Sequence, residues 1–559
     1  MMNNTLPEYI AIRAVIILFS AIGPLCAAYT ATLLRRVVLS VHASSLEDAV
    51  RLVGTNATWP SFNFAQYWCI AEAGFYLWFL YYRTVLQRAA VHPPLLDQRG
   101  RRALFEKVKS EIHDTERFLS GWFREAKVED IGREDLKEFL AWTFWEGRVG
   151  EEDDGELEVF AGEVEAMLGR RLKEGRGTAR SLRLTLEPVE ASSRSLFWYL
   201  IIVLVDTATH LRLLLYGYGY HSTTAASLLV FPPRPLALVS ATASSPAKDI
   251  SFWLTRHTSK TRLPIVFLHG IGVGLHPYIE FFHQLNRSLN GSAPSDDKVG
   301  VLIIEVMQIS TRLTTSAILD REEFLTQMTT VLDRTPGFEG RFVLCSHSYG
   351  SVFNTYLLTD PAMAARVSAT LLIDPVTVLL HMPEVAYNFT VRKPRSANEW
   401  QLWYFASKDP SVAYTLGRHF FWGQNVLWRE KILELVEGGS RVTVSLGSRD
   451  LIVDTQAVGA YLAKGELGDP VLVRDGKDGH AHMELEAEGE KRRGEKEGEK
   501  GGRKEGQKVD AWKEKTFTGR GLEVLWWDDF DHAQVFDDRV ARGKLVDVLV
   551  EYSRDDSKS

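Results

Sequence analysis

The pentapeptide Ser346-His347-Ser348-Tyr349-Gly350 stands between an apolar run, RFVLCSHS (341–348), and SVFNTYLLTDPAMAARV, which starts as a helix. A serine in a sharp strand-to-helix turn points its hydroxyl away from the sheet, and the turn leaves no room for large side chains two residues to either side. Ser346 and Gly350 are both small, so Ser348 is a candidate nucleophile; the rival reading is a serine that only caps the helix. A serine hydroxyl attacks when a base removes its proton, and the base must be oriented by an acid. Two other apolar runs end on those groups. RVTVSL is followed by Gly447-Ser448-Arg449-Asp450, and LEVLWW by Asp528-Asp529-Phe530-Asp531-His532. Ser348, Asp450 and His532 therefore occur in the order nucleophile, acid, base. Asp374, after ATLLI, is the competing acid, and Asp454 reads as a helix cap or first-turn carboxylate.

An acyl-transfer site also needs two amide N–H groups aimed where charge develops on the substrate oxygen. Tyr349, next after the candidate nucleophile, supplies one. The loop His269-Gly270-Ile271-Gly272-Val273-Gly274, which follows PIVFL, supplies the other, with Ile271 the chosen donor. Glycines there allow a close approach of backbone to substrate. A dinucleotide fingerprint fails on spacing, because the third glycine would fall at Leu275 or Pro277. His480 and His482 have no cysteine or carboxylate partners at ligand spacing, so neither a metal nor an organic cofactor is expected.

The elements that must hold these residues are short and apolar. Residues 264–270, 300–306, 341–348, 369–375, 441–450 and 522–529 each read as a strand, and near-continuous Val, Ile and Leu suits parallel strands covered on both faces. Longer helical stretches separate them, which implies a doubly wound α/β sheet with its chemistry at the carboxyl ends of the strands.

Together, His269-Gly270-Ile271-Gly272, Ser346 to Gly350, Asp450 and His532 resemble the α/β-hydrolase superfamily, from about Phe252 to the C-terminus. SGWF (120–123), with an apolar N-terminus and a helical region before the hydrolase body, is similar to membrane-anchored fungal members. The resemblance implies an α/β-hydrolase fold, a mostly parallel sheet with a helical lid. It also implies hydrolysis of an ester, amide or related bond through an acyl-serine intermediate, without a cofactor. By position, residues 381–434 correspond to the lid, and Trp400, Trp403, Tyr404, Phe405, Phe420, Phe421, Trp422 and Trp428 could line an acyl pocket or pack as the lid's own core. The expected partner is a lipophilic acyl-ester substrate. An acyltransferase using the same triad and an inactive membrane scaffold are the alternatives.

Around this body the 559 residues are unevenly composed. Ala14 to Leu34 carries no charge and is long enough to cross a bilayer core. It defines an N-terminal anchor (1–40) and a membrane location of unspecified organelle. An aromatic-rich, membrane-proximal helix follows (41–94), with Glu72 its one charge between 66 and 82. Residues 95–250 read as a charged helical region with apolar stripes at 101–123 and 136–144, a solvated loop at 150–155 and a second apolar segment at 197–216. Asp206, His210 and Arg212 in that segment favour a helix lying on the membrane or packed on the hydrolase body over a span. The hydrolase domain takes 251–559 and contains a glycine-rich, charged insert (475–515) that cannot bury a core. Arginines flanking the anchor place the body on the cytoplasmic side, whereas sequons at Asn56, Asn286, Asn290 and Asn388 matter only for a luminal body, so orientation stays open. A net charge of -7 gives no electrostatic footprint for nucleic acid, and three cysteines make no disulfide framework.

Overall fold

The apolar runs form strands because nothing in them needs water. In the computed structural model, which describes residues 4–43, 63–223, 229–314, 316–464, 471–474, 511–514 and 517–555, they become β5 (Ile265–Leu268), β6 (Val301–Glu305), β8 (Phe342–His347), β9 (Val367–Ile373), β10 (Arg441–Gly447) and β12 (Leu522–Trp527). Every residue of β5, β6, β8 and β9 is buried. Each large apolar side chain removed from water contributes about 1.5–3 kcal/mol.

Ten described strands make one sheet in the order β11-β12-β10-β9-β8-β5-β6-β4-β1-β3. From β11 (Val471–Arg474) to β6 the neighbours are parallel, and β4 (Ser251–Leu254) is antiparallel to both β6 and β1 (Gly219–Ser222). Beyond β1 lies β3 (Ala243–Ser244), while β2 (Val230–Phe231) and β7 (Leu313–Thr314) pair apart from the sheet. This mostly parallel, helix-covered sheet is the α/β-hydrolase fold. β1 and β3 lie inside the stretch read as helical. They are short and carry Gly, His and Ser, so no apolar run announces them.

The first two helices, α1 (Leu6–Ala43) and α2 (Phe64–Val85), pack together. Gly23, just before Pro24, makes this possible, because a Cβ there would stand 2.9 Å from the ring of Tyr76. The expected single helical stripe at 101–123 is two helices, α3 (Gln98–Glu111) and α4 (Thr115–Trp122), with Asp114 capping the second. α5 (Arg133–Trp145) matches its stripe, and the expected loop at 150–155 instead leads into α6 (Asp154–Leu168). There Asp153 pairs with Arg101 at 2.7 Å, so that acidic segment is fixed to α3. Helices α3 to α6 share one continuous core with the sheet and the lid. At the far end, Ala511–Glu514 is a turn of helix whose Trp512 is buried against Trp526 at 5.2 Å. Ala511–Glu514 thus falls inside the stretch read as an insert; the rest of that stretch, residues 475–510 and 515 with His480 and His482, lies outside the described residues.

α7 (Leu196–Leu215) is built in reverse of a soluble amphipathic helix. Its polar groups face the body. Asp206 pairs with Arg312 at 2.7 Å and Arg234 at 3.2 Å, His210 meets Ser240 at 2.6 Å, and Arg212 pairs with Glu280. Its outer stripe is apolar, with Leu204 63% and Leu215 81% exposed. The N-terminus of α7 is capped by Glu72, whose two oxygens accept the amides of Leu196 and Phe197 at 2.9 and 3.1 Å. α1 over Leu6–Arg36 (mean hydropathy 2.2) and α7 (1.5) are long and apolar enough to cross a membrane.

Arg234 is the hinge of the polar seam under α7. Its guanidinium spans both oxygens of Glu305 at 2.9 Å, in addition to Asp206. Removing one partner of a buried ionic cluster strands the others. Arg234→Met is therefore expected to lower stability by about 3–5 kcal/mol, read as thermal unfolding of detergent-solubilised protein. An unchanged transition would show that the cluster does not hold α7 to the sheet.

Candidate active site

The turn after β8 takes the strained form that its small flanking residues anticipate. Ser348 has φ 52, in the left-handed region, and it opens α8 (Gly350–Thr359). A side chain at Gly350 would place its Cβ 2.3 Å from the Leu268 carbonyl oxygen, and one at Gly270 would stand 2.7 Å from the Ser348 Cβ. Both glycines are required by close approach. Gly272 has open space around it, so the same does not hold there.

Ser348, Asp450 and His532 come together at the carboxyl ends of β8, β10 and β12. The Ser348 hydroxyl lies 2.8 Å from His532 Nε2, and His532 Nδ1 lies 2.7 Å from Asp450 Oδ2. The other Asp450 oxygen accepts the amides of Ile452 and Val453 at 2.7 and 2.9 Å. That fixes the carboxylate, and the carboxylate fixes the imidazole with its proton on Nδ1 and its lone pair towards the serine. Asp374 is not the partner of the imidazole. Its Oδ2 accepts the Ala533 amide at 2.8 Å, which pins the loop just beyond His532. Asp454 caps the helix Thr455–Leu462, as its sequence position suggests.

A second carboxylate that the sequence did not single out ties the loops together. One oxygen of Asp531 accepts the amides of Leu451 (3.0 Å) and His532 (2.7 Å), and the other accepts the side-chain amide of Asn398 (2.7 Å). Asn398 lies in the lid, and its backbone amide reaches Asn4 at the start of α1 (3.2 Å). No spacing along the chain could have joined residues 4, 398 and 531.

Burial alone would lower the pKa of His532, but Asp450, Asp374 and Asp531 surround it and push it up to about 9. Burial raises Asp374 to about 7; His532 opposes the rise and Asp450 adds to it. Asp374, Asp450 and His532 hold ligand-type atoms within 4.8 Å of one another. Both imidazole nitrogens and both Asp450 oxygens are already bonded within the protein, so a metal there would have to break those bonds.

The loop after β5 is oriented by His269. The Val306 amide donates to His269 Nε2 at 2.9 Å, which leaves the proton on Nδ1, and Nδ1 donates to the Gly270 carbonyl at 2.8 Å. In a trans peptide the C=O and the next N–H point in opposite directions. His269 thereby turns the Ile271 N–H the other way. Neither Ile271 nor Tyr349 has a hydrogen-bond partner for its amide among the described residues. Tyr278 completes the support: its hydroxyl accepts the Gly270 amide at 3.1 Å and donates to His347 Nδ1 at 2.7 Å.

Ile271, Ser348 and Tyr349 line an apolar cavity of about 50 Å³. Of the lid aromatics, Phe420 and Trp422 line it. Trp400, Trp403, Tyr404 and Phe405 instead pack with α1 and α7, Phe421 lies 5.4 Å from His92, and Trp428 stacks on His381 at 4.9 Å. The remaining wall includes Trp122 and Trp142 from the helical region and Phe389 from a single π turn (Tyr387–Val391). Trp122 belongs to the SGWF motif, and Gly121 beside it lets the lid residue Pro383 approach, to 2.4 Å from where a Cβ would be.

No family model matches the chain, and no curated protein matches it in sequence. Among solved structures it is similar to a membrane phospholipase A described as a bacterial virulence factor, at 10% identity over 64% of this chain and 94% of that one, with TM-score 0.33. It is likewise similar to two enzymes from Bacillus subtilis. For carboxylesterase CesB the identity is 10% over 62% and 98% of the two chains, with TM-score 0.30; for naproxen esterase it is 10% over 61% and 96%, with TM-score 0.31. Likeness of this degree says nothing about substrate or chemistry.

The carboxylates around His532 can be tested one at a time. With selectively labelled histidine, the NMR titration midpoint of His532 is expected near 9 and should move to lower pH in Asp374→Asn, because a negative neighbour is removed. A midpoint that stays in place would mean that Asp374 exerts no field on the imidazole.

Proposed function

We propose that this protein is a membrane-associated serine hydrolase that cleaves a lipophilic carboxylic ester. The observation that carries this reading is the unbroken line of hydrogen bonds from Asp450 through His532 to Ser348, beside an apolar cavity. The Ser348 oxygen attacks the ester carbonyl carbon while His532 Nε2 takes the hydroxyl proton. The oxyanion is held by the amides of Ile271 and Tyr349. His532 then returns the proton to the leaving alcohol oxygen, and the acyl group stays on Ser348. Water, deprotonated by the same imidazole, then attacks the acyl carbonyl; the bond to Ser348 Oγ breaks, the imidazolium returns its proton to that oxygen, and the acid leaves. Asp450 stabilises the imidazolium at each step.

The apolar lining supports an acyl chain over a sugar or charged substrate, since the wall near Ser348 offers few polar partners. The outward apolar stripe of α7 and the exposed Leu18, Leu25 and Leu34 of α1 support membrane attachment.

Alkyl fluorophosphonate is expected to label the wild-type protein and not Ser348→Ala, with ester hydrolysis lost by about 10⁴-fold or more in that variant. Labelling that survives the substitution, or none in folded wild-type protein, would overturn the assignment. The base must be neutral to accept the serine proton, so kcat/KM should climb with pH towards about 9. A profile already flat above pH 7 would show that the surrounding carboxylates do not raise the base.

A further inference from the structure

A cleft of about 810 Å³ separates the helical region from the lid, with residues 176–190 along one wall and 390–417 along the other. Its volume is that of a ligand site. A second cleft, of about 770 Å³, shares Pro188, Val189, Glu190, Trp403 and Lys408 with the first and reaches Leu80, Arg83 and Thr84 at the C-terminal end of α2. Gln87, just past α2, fixes this junction. Its side chain accepts the Val189 amide and donates to the Val189 carbonyl, each at 2.9 Å.

The chain has a net charge of -7, yet the walls of these clefts carry more cations than anions. Their carboxylates are all engaged. Glu187 pairs with Arg124, Glu190 with Lys408 at 2.7 Å, and Glu138 with both Arg176, at 2.8 Å, and Arg183. Asp135 accepts the amides of Gly132 and Gly177 at 2.9 and 2.6 Å. Three cations are left over. Arg180 and Lys393, one on each wall of the first cleft, and Arg83 in the second are exposed, and their side chains have no hydrogen-bond or ion-pair partner among the described residues. Guanidinium and ammonium groups without counter-ions are donors for phosphate oxygens.

The apolar hairpin sets where the clefts open. α1 and α2 run antiparallel, with Thr30 beside Cys69 and Gly23 beside Tyr76, which brings Arg13 and Arg83 to the same end. From Arg13 the charge-free stretch 14–34 extends about 30 Å, the thickness of a bilayer core. The end with Arg13 and Arg83 is the one that meets the body, since Arg13 stacks over the lid residue Trp400. Trp78 and Tyr81 are exposed just before Arg83. Such rings, with a basic residue beyond them, sit at the headgroup level of a bilayer. The mouth at Arg83 thus faces the lipid phosphates of the leaflet on which the body lies.

We propose that the joined clefts bind the phosphate-bearing headgroup of an anionic membrane lipid, admitted past Arg83 and held by Arg180 and Lys393. The proposal rests on the membrane attachment proposed above, with α1 and α2 in the bilayer, and does not depend on the chemistry at Ser348.

The test is calorimetric titration of the full-length protein in non-ionic detergent, against a detergent blank, with dihexyl-ether phosphatidic acid, a lipid that no esterase cleaves. Saturable binding is expected, weakened about tenfold or more in the double variant Arg180→Glu with Lys393→Glu at an unchanged melting temperature. The phosphocholine-headed ether, which has no net charge, should also bind about tenfold or more weakly. Equal affinity in the double variant, or for the choline ether, would overturn the proposal. So would inorganic phosphate binding as tightly as the ether lipid, because the site would then serve a soluble anion. If the double variant does not fold, Arg180→Gln with Lys393→Gln is read in its place, with a smaller loss in the same direction. Alkaline carbonate extraction tests the premise separately: protein retained in the membrane pellet supports it, and protein released to the supernatant would overturn the membrane attachment itself.

Discussion

One carboxylate, Asp531, holds three separate pieces of chain in register. It bonds the amide that follows Asp450, the amide of His532, and the lid through Asn398. The loops after β10 and β12 are irregular where Asp450 and His532 sit, so their mutual position there depends on such bonds. The Asp531 side chain, with Asp450 on the imidazole and Asp374 on the Ala533 amide, sets the position of the imidazole between acid and serine. Asn398 extends the link to Asn4, and Arg13 of α1 stacks 3.7 Å over the lid residue Trp400. The N-terminal helix and His532 are therefore joined by a short series of direct contacts.

What the sequence made legible was what is local. Parallel strands buried on both faces are continuous apolar runs, and the residues at their carboxyl ends are named by position alone; Ser348, Asp450 and His532 are found that way. The strands β1 and β3 at one end of the sheet were hidden because they are short and only partly buried, so neither needs an apolar run. The lid aromatics were legible as apolar but not as to which face they cover. Trp422 and Trp400 look alike in sequence, yet one borders the cavity and the other lies beneath the guanidinium of α1. Asp531, Tyr278 and Asn398 act only through contacts across the fold, and a single chain carries no local sign of that.

The two long apolar helices show the same division. The length and charge of 14–34 mark α1 from sequence, whereas the role of Glu72 emerges only when the N-terminus of α7 is seen above it. The sequons are similar. Asn290 uses its side-chain nitrogen twice, to Asn286 Oδ1 and to the Val299 carbonyl, while Asn286 and Asn388 each use theirs once. Both hydrogens of the Asn290 amide are thus taken up by the fold, and a glycan on that nitrogen would displace at least one of those bonds. Asn56 lies outside the described residues.

The core shared by helices α3 to α6, the lid and the sheet leaves no place to cut the chain. A fragment starting near β4 would lack the strands β1 and β3 at its edge and would lay bare the inner face of the lid, with the Trp422 N–H and the His381 carbonyl left without their partners. A fragment ending before β4 would expose Trp122 and Trp142 in the same way. The helical region is accordingly not an appendage that could be shed on its own. It supplies one side of a core whose other side is the lid and the sheet, and the two can be inherited, exchanged or redesigned only together.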